Sequence, residues 1–530
     1  MNFSSLDLTI FLGYLLIMMG FGIWIAYREK STDTKDYFLA SRALPWWAVG
    51  GSLIASNISA EQMIGMAGSG FALGLAISTY ELMAAATLIV VAKFLLPVFI
   101  KNDISTIPEF LEQRFDKRVR TGLAIFWLLL FIFVNISSLF YLGSLAMQNI
   151  IGIPLMYGVI GLAIYSATFS IFGGLKAVVW TDVVQVVVLI LGGTVASVTI
   201  LNALSDGGGV LAGLQELYQR APEKFDMIFT KDDTFTNIET GEQESAYALL
   251  PGISVLVGGM WIANLYYWGF NQYIIQRALA AKSIREAQKG IAFAAFLKLF
   301  IPFIVVIPGI AAFVMGADIG KADEAYPWVL NNYVGTGLRG IAVAALVAAI
   351  GSSISSMVNS TATIYTLDIH KPLFGKGTSE QQLVTVGRVA SVAAIILGIL
   401  VAPTLKSLGQ VFQFIQEYTG YISPAILAVF LFGIFWKRTN TSGVLAAIVV
   451  AVPLSLGLKA AFPDLPFLDR MGLSFLVLSA IIVLVSLFTS QEDSEKAVQL
   501  EKGIFSTSMT FNLSSILILG ILAAIYTIFW

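Results

Sequence analysis

Apolar residues fall in long uninterrupted runs along this chain, and the polar positions between them are short and clustered. A hydrocarbon core of about 30 Å takes roughly 20 apolar helical residues per crossing. Matched to that length, the runs predict about fourteen transmembrane helices, near 6–27, 45–71, 75–100, 121–149, 153–172, 177–203, 248–276, 289–316, 338–366, 384–402, 408–436, 442–461, 471–488 and 511–530. The expected fold class is an all-α integral membrane protein.

Two runs carry polar and small residues where a lipid-facing helix carries Leu and Ile: GGSLIASNISAEQMIGMAGSG from Gly50 and PGISVLVGGMWIANLYYWGFNQ from Pro251. Glycine costs about 1 kcal/mol per helix position. Unwound backbone survives at membrane depth only where it lines a cavity or holds an ion. Both segments therefore read as discontinuous helices, although close helix packing through small residues is the simpler alternative. They stand five spans apart, so each opens a group of five helices. The odd number of crossings makes the second group run opposite to the first, the arrangement of inverted-repeat transporters. On this reading, residues 1–530 form one membrane transport domain: a leading helix 6–27, a first five-helix repeat 45–203, an external loop 204–247, an inverted second repeat 248–436, and three trailing helices 442–530.

Composition agrees with the membrane and removes other classes. The 530 residues are 57% hydrophobic and 12% charged, where a soluble chain needs roughly 25% charge. Disorder, nucleic-acid binding and a secreted disulfide scaffold are excluded. With no cysteine and His370 as the one histidine, thiolate and most imidazole chemistry is excluded too. An HExxH metalloprotease or a serine-histidine pair cannot be assembled, and no enzyme or cofactor is expected. The first basic residue is Arg28, so the N-terminal run reads as a permanent span rather than a signal peptide.

Positive charge gives the orientation. The odd-numbered connections with their flanking ends hold 21 Lys and Arg and the even-numbered ones 8, leaving Lys93 and Lys298 inside spans. Cytoplasmic loops are enriched in basic residues, which places both termini outside.

Few ionisable side chains fall within the apolar runs: Glu61, Glu81, Lys93, Asp182, Lys298 and Glu417. Each costs about 2.5–3.5 kcal/mol at a helix centre on insertion scales, so each is a candidate for function. Glu81 and Lys298, with the amides of Gln62, Asn264 and Gln416, would give a pocket both charge signs and neutral donors and acceptors. That suits a neutral polyhydroxylated solute, and Tyr266, Tyr267 and Trp268 would offer a flat face for a pyranose. A Glu81 to Lys298 ion pair that only fixes packing is the competing reading; Glu61 reads as structural. Ala349, Ser352 and Ser353 share one helical face, where hydroxyls and freed carbonyls would make a cage of neutral oxygens for a monovalent cation. Serines bonding back to the preceding turn would account for the same pattern.

Four longer stretches carry a resemblance: GGLKAVVWTDVVQ from Gly173, NLYYWGFNQYIIQRALAAKSIREAQKG from Asn264, SMVNSTATIYTLDI from Ser356 and FIQEYTGYISP from Phe414. From about residue 35 onward the chain resembles the sodium/solute symporter family, which includes the sodium-glucose cotransporters, and is most similar to its bacterial sodium/galactose branch. The resemblance implies an amino-acid-transporter-like inverted-repeat fold and sodium-coupled import of a neutral hexose by alternating access, with sodium as coupling ion. It also implies a bacterial inner-membrane location. Carried over by position, it implies a sodium site of backbone carbonyls at Ala55, Ile58 and Ala349 with the hydroxyls of Ser352 and Ser353. The implied sugar site is Gln62, Glu81, Asn264, Lys298 and Gln416, with Tyr267 stacking on the sugar as inner gate. Met66, Tyr80 and Phe412 are implied as outer gate and Asp182 on the ion's exit path. The galactose branch has a serine where this chain has Ala84, which leaves the preferred hexose, galactose or glucose, open; a neutral inositol would fit the same pocket almost as well. A solute-gated sensor is the remaining alternative from another class.

Overall fold

A computed structural model describes residues 3–28, 33–375, 377–407, 411–490 and 492–530, without the side chains at 169, 172, 407 and 411–414. About 80% of the chain is helical. Among the described residues, 11 helices are long and apolar enough to cross a membrane, or 12 if the bent pair Ala246–Val257 and Gly259–Phe270 is one span. The expected number was fourteen. The difference lies at two short pieces: Trp46–Asn57, which stops after 12 residues, and Leu155–Thr168, below the length of a span.

Burial sorts these helices into a centre and a rim. In Leu338–Phe374 the most apolar stretch is 94% buried, against 22% in Ser5–Arg28, Thr441–Ala461 and Met509–Ile528. The central helix is rich in Ser, Thr, Ala and Gly because its neighbours approach on every side, whereas the rim helices keep Leu and Ile for lipid. Close approach is clearest where Ile284–Val314 crosses the first polar segment. A Cβ on Gly309 would lie 2.0 Å from the Ala67 carbonyl oxygen, and one on Gly50 2.5 Å from that of Gly290.

Both unusual segments are broken. Trp46–Asn57 ends with Ile58 extended at φ −77° and ψ 110°, and the chain resumes in a wide turn at Glu61–Met66 before Ala67–Leu73. The second bends by 78° between Val257 and Gly259, then opens again at Asn271, φ −86° and ψ 120°, before Gln272–Leu279. The entry to the first and the exit from the second are tied by backbone: Leu44 N–H donates to Ala280 O at 3.1 Å and Lys282 N–H to Leu44 O at 3.1 Å.

The long helix Leu155–Leu204 is divided at Gly174, φ 57° and ψ −159°, a conformation that needs glycine. The Tyr37 hydroxyl donates to the carbonyls of Ser170 at 3.3 Å and Ile171 at 2.8 Å beside this break. Residues 205–247 contain a helix, Val210–Arg220, and an antiparallel hairpin, Thr234–Thr236 with Gln243–Ser245. Lys224 from this segment donates to Phe71 O at 3.2 Å and Ala72 O at 2.6 Å. It thereby places a cation at the C-terminal end of Ala67–Leu73, where the helix dipole favours one.

Candidate solute and ion site

The break after Asn57 sets the geometry of the interior. In a continuous helix the Ser59 N–H would bond the Ala55 carbonyl. Here it donates to Gln62 Oε1 at 3.0 Å, as does the Ser59 hydroxyl at 3.0 Å. The Ala55 carbonyl is thus released from its helical partner, and the acceptor end of Gln62 is occupied from within.

Beside this break lies a cavity of about 70 Å³ lined by Gln62, Met66, Tyr80, Glu81, Asn264, Tyr267, Lys298 and Gln416, all expected from sequence. Ala84 lines it as well, as do Asn57, Glu61 and Trp268. Lys298, buried at mid-helix in Ile284–Val314, donates to both Glu81 Oε2 and Asn57 Oδ1. Its ammonium also lies 5.1 Å from the centroid of the Trp268 ring, a cation–π arrangement. The Asn57 amide donates to the Tyr267 hydroxyl at 2.9 Å, which is in turn bonded to the Tyr273 hydroxyl. Trp268 Nε1 donates to Asn264 Oδ1 at 3.2 Å, and Asn264 Nδ2 to Met260 O at 3.1 Å. The wall therefore offers a carboxylate, an ammonium and amide groups around open space, with two aromatic faces.

Glu61, expected to be structural, lines the same cavity, and its Oε1 is buried without a hydrogen-bond partner. Glu417 is elsewhere, ion-paired to Lys459 at 2.8 Å and Arg470 at 3.2 Å. Lys93 is half-buried, 5.3 Å from the Phe94 ring centroid. The Phe412 side chain lies outside the described residues.

A second polar cluster joins the first broken helix to the central serine helix. Ser353 Oγ donates to Ser56 O at 2.9 Å, and Ser352 Oγ to Asp182 Oδ1 at 2.5 Å. Asp182 Oδ2 also accepts from Ser52 at 2.5 Å and Ser56 at 3.2 Å. Ala55, Ile58, Ala349, Ser352, Ser353 and Asp182 are all fully buried. The structure thus sets Ser352 and Ser353 against the broken segment and puts Asp182 in contact with Ser352.

One resident of this cluster departs from the sequence reading. No arginine was expected within a span, and Arg277 was counted with the connection after 248–276. Arg277 is 0% exposed, 3.5 Å from Asp182, and donates to Ser52 Oγ at 3.0 Å, Ser356 Oγ and Tyr273 O. The run of polar residues around it imitates a loop; only the opening at Asn271 turns the last helical piece inward. Asn57 was also missed, although the break in its segment was recognised.

Two broken helices beside a polar cavity, with Lys298 reaching it from the middle of a long apolar helix, have the architecture of a solute transporter. A family model, the sodium:solute symporter family, matches residues 37–451, and the chain belongs to that family. It is 49% identical to a sodium/glucose cotransporter of Vibrio parahaemolyticus, over 99% of this chain and 98% of the relative. It is also 33% identical to the mouse sodium/myo-inositol cotransporter 2, over 85% of this chain and 69% of that protein. Among solved structures, a substrate-bound, outward-open sodium-coupled sialic acid symporter superposes with a TM-score of 0.79 at 25% identity, over 92% of this chain and 99% of that one. The nucleobase-cation-symport-1 transporter MHP1, at a TM-score of 0.54 and 14% identity over 87% of this chain and 96% of that one, shares the fold. The protein is therefore a multi-pass membrane protein of a sodium-coupled symport family, whose relatives are transporters and not enzymes and use sodium as coupling ion.

Proposed function

We propose that this chain imports a neutral hexose, galactose or glucose, together with sodium by alternating access. The observation that carries this reading is the cavity wall: Glu81 and Lys298 compensate each other's charge, so a ligand needs no net charge, while the pair and the amides of Gln62, Asn264 and Gln416 match hydroxyls that both donate and accept. Tyr267 and Trp268 supply faces for a pyranose, Tyr267 as inner gate and Met66, Tyr80 and Phe412 as outer gate. The sodium site is formed by the carbonyls of Ala55, Ile58 and Ala349 with Ser352 and Ser353, and Asp182 lies on its exit path.

A ligand shifts a conformational equilibrium only through differential affinity for the two states. Sodium between the first broken helix and the serine helix would bond one repeat to the other, favouring the state in which the sugar site is assembled. Its departure toward Asp182 would release that bond. The architecture that serves this cycle counts Trp46–Leu73 and the short Leu155–Thr168 piece as crossings. That gives fourteen helices, with inverted repeats at 45–203 and 248–436, a leading helix 6–27, an external segment 204–247, trailing helices 442–530 and both termini outside a bacterial inner membrane.

The test is uptake of radiolabelled galactose into proteoliposomes under an inward sodium gradient, with glucose and myo-inositol as competitors. Accumulation above equilibrium that collapses when potassium replaces sodium supports symport; a sensor would give none. Inositol is the second reading, supported by the myo-inositol cotransporter relatives; the methyl of Ala84 in the cavity wall bears on which hexose is preferred. Stronger competition by myo-inositol than by either hexose would establish it.

A further inference from the structure

Away from the solute cavity, two hollows lie end to end along one pair of helices. At the N-terminal ends of Ile284–Val314 and Met509–Ile528, a hollow of about 400 Å³ is lined by Lys101, Arg285, Gln288, Glu501, Lys502 and Ser508 among others. A second hollow of about 400 Å³ begins at the next positions of both helices, Lys289 and Thr510, and is walled by Phe293, Phe296, Phe511, Leu517 and Ile518. The first carries the charged side chains in a mixed lining and the second is mostly apolar, so the groove as a whole is amphipathic.

Its length fits a single leaflet. At 1.5 Å per residue the apolar part extends about 10 Å along one helix and about 12 Å along the other, most of the roughly 15 Å of hydrocarbon in half a bilayer. Trp46, 38% exposed and packed edge-on against Phe293 at 5.5 Å, lines the apolar hollow, and its backbone N–H donates to Glu286 Oε2 at 3.0 Å, toward the charged end of Ile284–Val314. Indole rings favour the headgroup level. The segment carrying Lys502 is held there by Phe505, 5.4 Å from Phe94 and 6.3 Å from Phe435.

Charge identifies the occupant. Lys101 is paired with Glu501, and Lys289 lies 3.8 Å from Glu286. Among the described residues Arg285 and Lys502 have no ion-pair partner, and both are exposed at the polar hollow. A guanidinium and an ammonium suit phosphate oxygens, and basic pockets between transmembrane helices bind anionic headgroups. We propose that this groove binds one anionic phospholipid, its phosphate at Arg285 and Lys502 and an acyl chain along Phe293, Phe296, Phe511 and Ile518. On the orientation proposed above this is a lipid of the cytoplasmic leaflet; the binding itself does not depend on that orientation or on the transported solute.

Native mass spectrometry of the purified full chain tests it, with phosphatidylglycerol and phosphatidylcholine offered in equal amounts and inorganic phosphate as competitor. The expected result is one phosphatidylglycerol per chain, preferred over phosphatidylcholine and not displaced by millimolar phosphate. Losing two surface cations, as in Arg285→Gln with Lys502→Gln, should weaken this by about 30-fold in a variant that elutes as the parent does. Should that variant not fold, Phe296→Ala, at a half-exposed position, is expected to weaken phosphatidylglycerol binding through the chain contact. Equal retention of the two lipids, unchanged binding in both variants, or displacement by inorganic phosphate, which would mark a small-anion pocket, overturns the proposal.

Discussion

Glu81 with Lys298 and Asp182 with Arg277 are two buried ion pairs in one membrane interior, and their surroundings differ. The first borders open space, and its walls hold groups with capacity to spare, such as the buried Oε1 of Glu61. The second is closed: Asp182 is ringed by three serine hydroxyls, and Arg277 spends its donors on Ser52, Ser356, Tyr273 and Asp182. Unfilled hydrogen-bonding capacity beside a cavity favours a polar ligand, whereas a saturated cluster favours a fixed arrangement of its own chain. A cation entering the second region must therefore compete with bonds already made, such as that of Ser353 to the Ser56 carbonyl.

The sharpest way to break this comparison is to remove charges singly and in pairs. Lys298→Ala should abolish sodium-driven uptake and destabilise the protein by about 3–5 kcal/mol, because it strands the Glu81 carboxylate. Removing Glu81 as well should recover much of the melting temperature but not transport; normal uptake by the double variant would return the pair to a packing role. Arg277→Ala should destabilise by a similar ~3–5 kcal/mol. Adding Asp182→Asn should restore stability together with part of the uptake, since neither side chain is expected to touch the solute.

Ser353→Ala is a smaller change. It deletes a hydroxyl bonded to Ser56 O, costing about 1 kcal/mol of stability, while the sodium concentration for half-maximal uptake should rise roughly tenfold, the equivalent of 1.4 kcal/mol of binding. Unaltered sodium dependence would remove Ser353 from the ion site.

The last prediction leaves the two pairs for a buried carboxylate outside the spans. Asp323, in the short turn Ala322–Glu324, is raised to about 7 by burial, with the Glu239 carboxylate adding to it and Lys321 opposing it. Protons then bind more tightly to the folded than to the unfolded chain. Stability is full below the ordinary aspartate range and falls as pH rises toward about 7, by at most about 1.4 kcal/mol per pH unit. Melting temperature should therefore drop from pH 5.5 to 7.5 in the parent and change less in Asp323→Asn.

Legibility followed contrast with the apolar background. Glu81 and Lys298 stood out because a charge is costly within a hydrophobic run, and Gln62 and Asn264 because they interrupt glycine-rich segments. Arg277 did not, since a cation among polar residues after an apolar run has the same local pattern whether it faces water or an internal carboxylate. Asn57 was seen as part of a break but not as the residue joining Lys298 to Tyr267, because that contact links positions 241 residues apart.

Taken alone, the sequence determined the solvent of this protein, its helices and the two places where they break. These are local consequences of transferring side chains and backbone into hydrocarbon. Only the tertiary structure decided which polar groups remain available and which are satisfied by one another. Satisfaction depends on partners brought together across the chain, so Ser352 meets Asp182, Lys298 meets Asn57, and an arginine counted as a surface charge becomes the cation of a closed interior cluster.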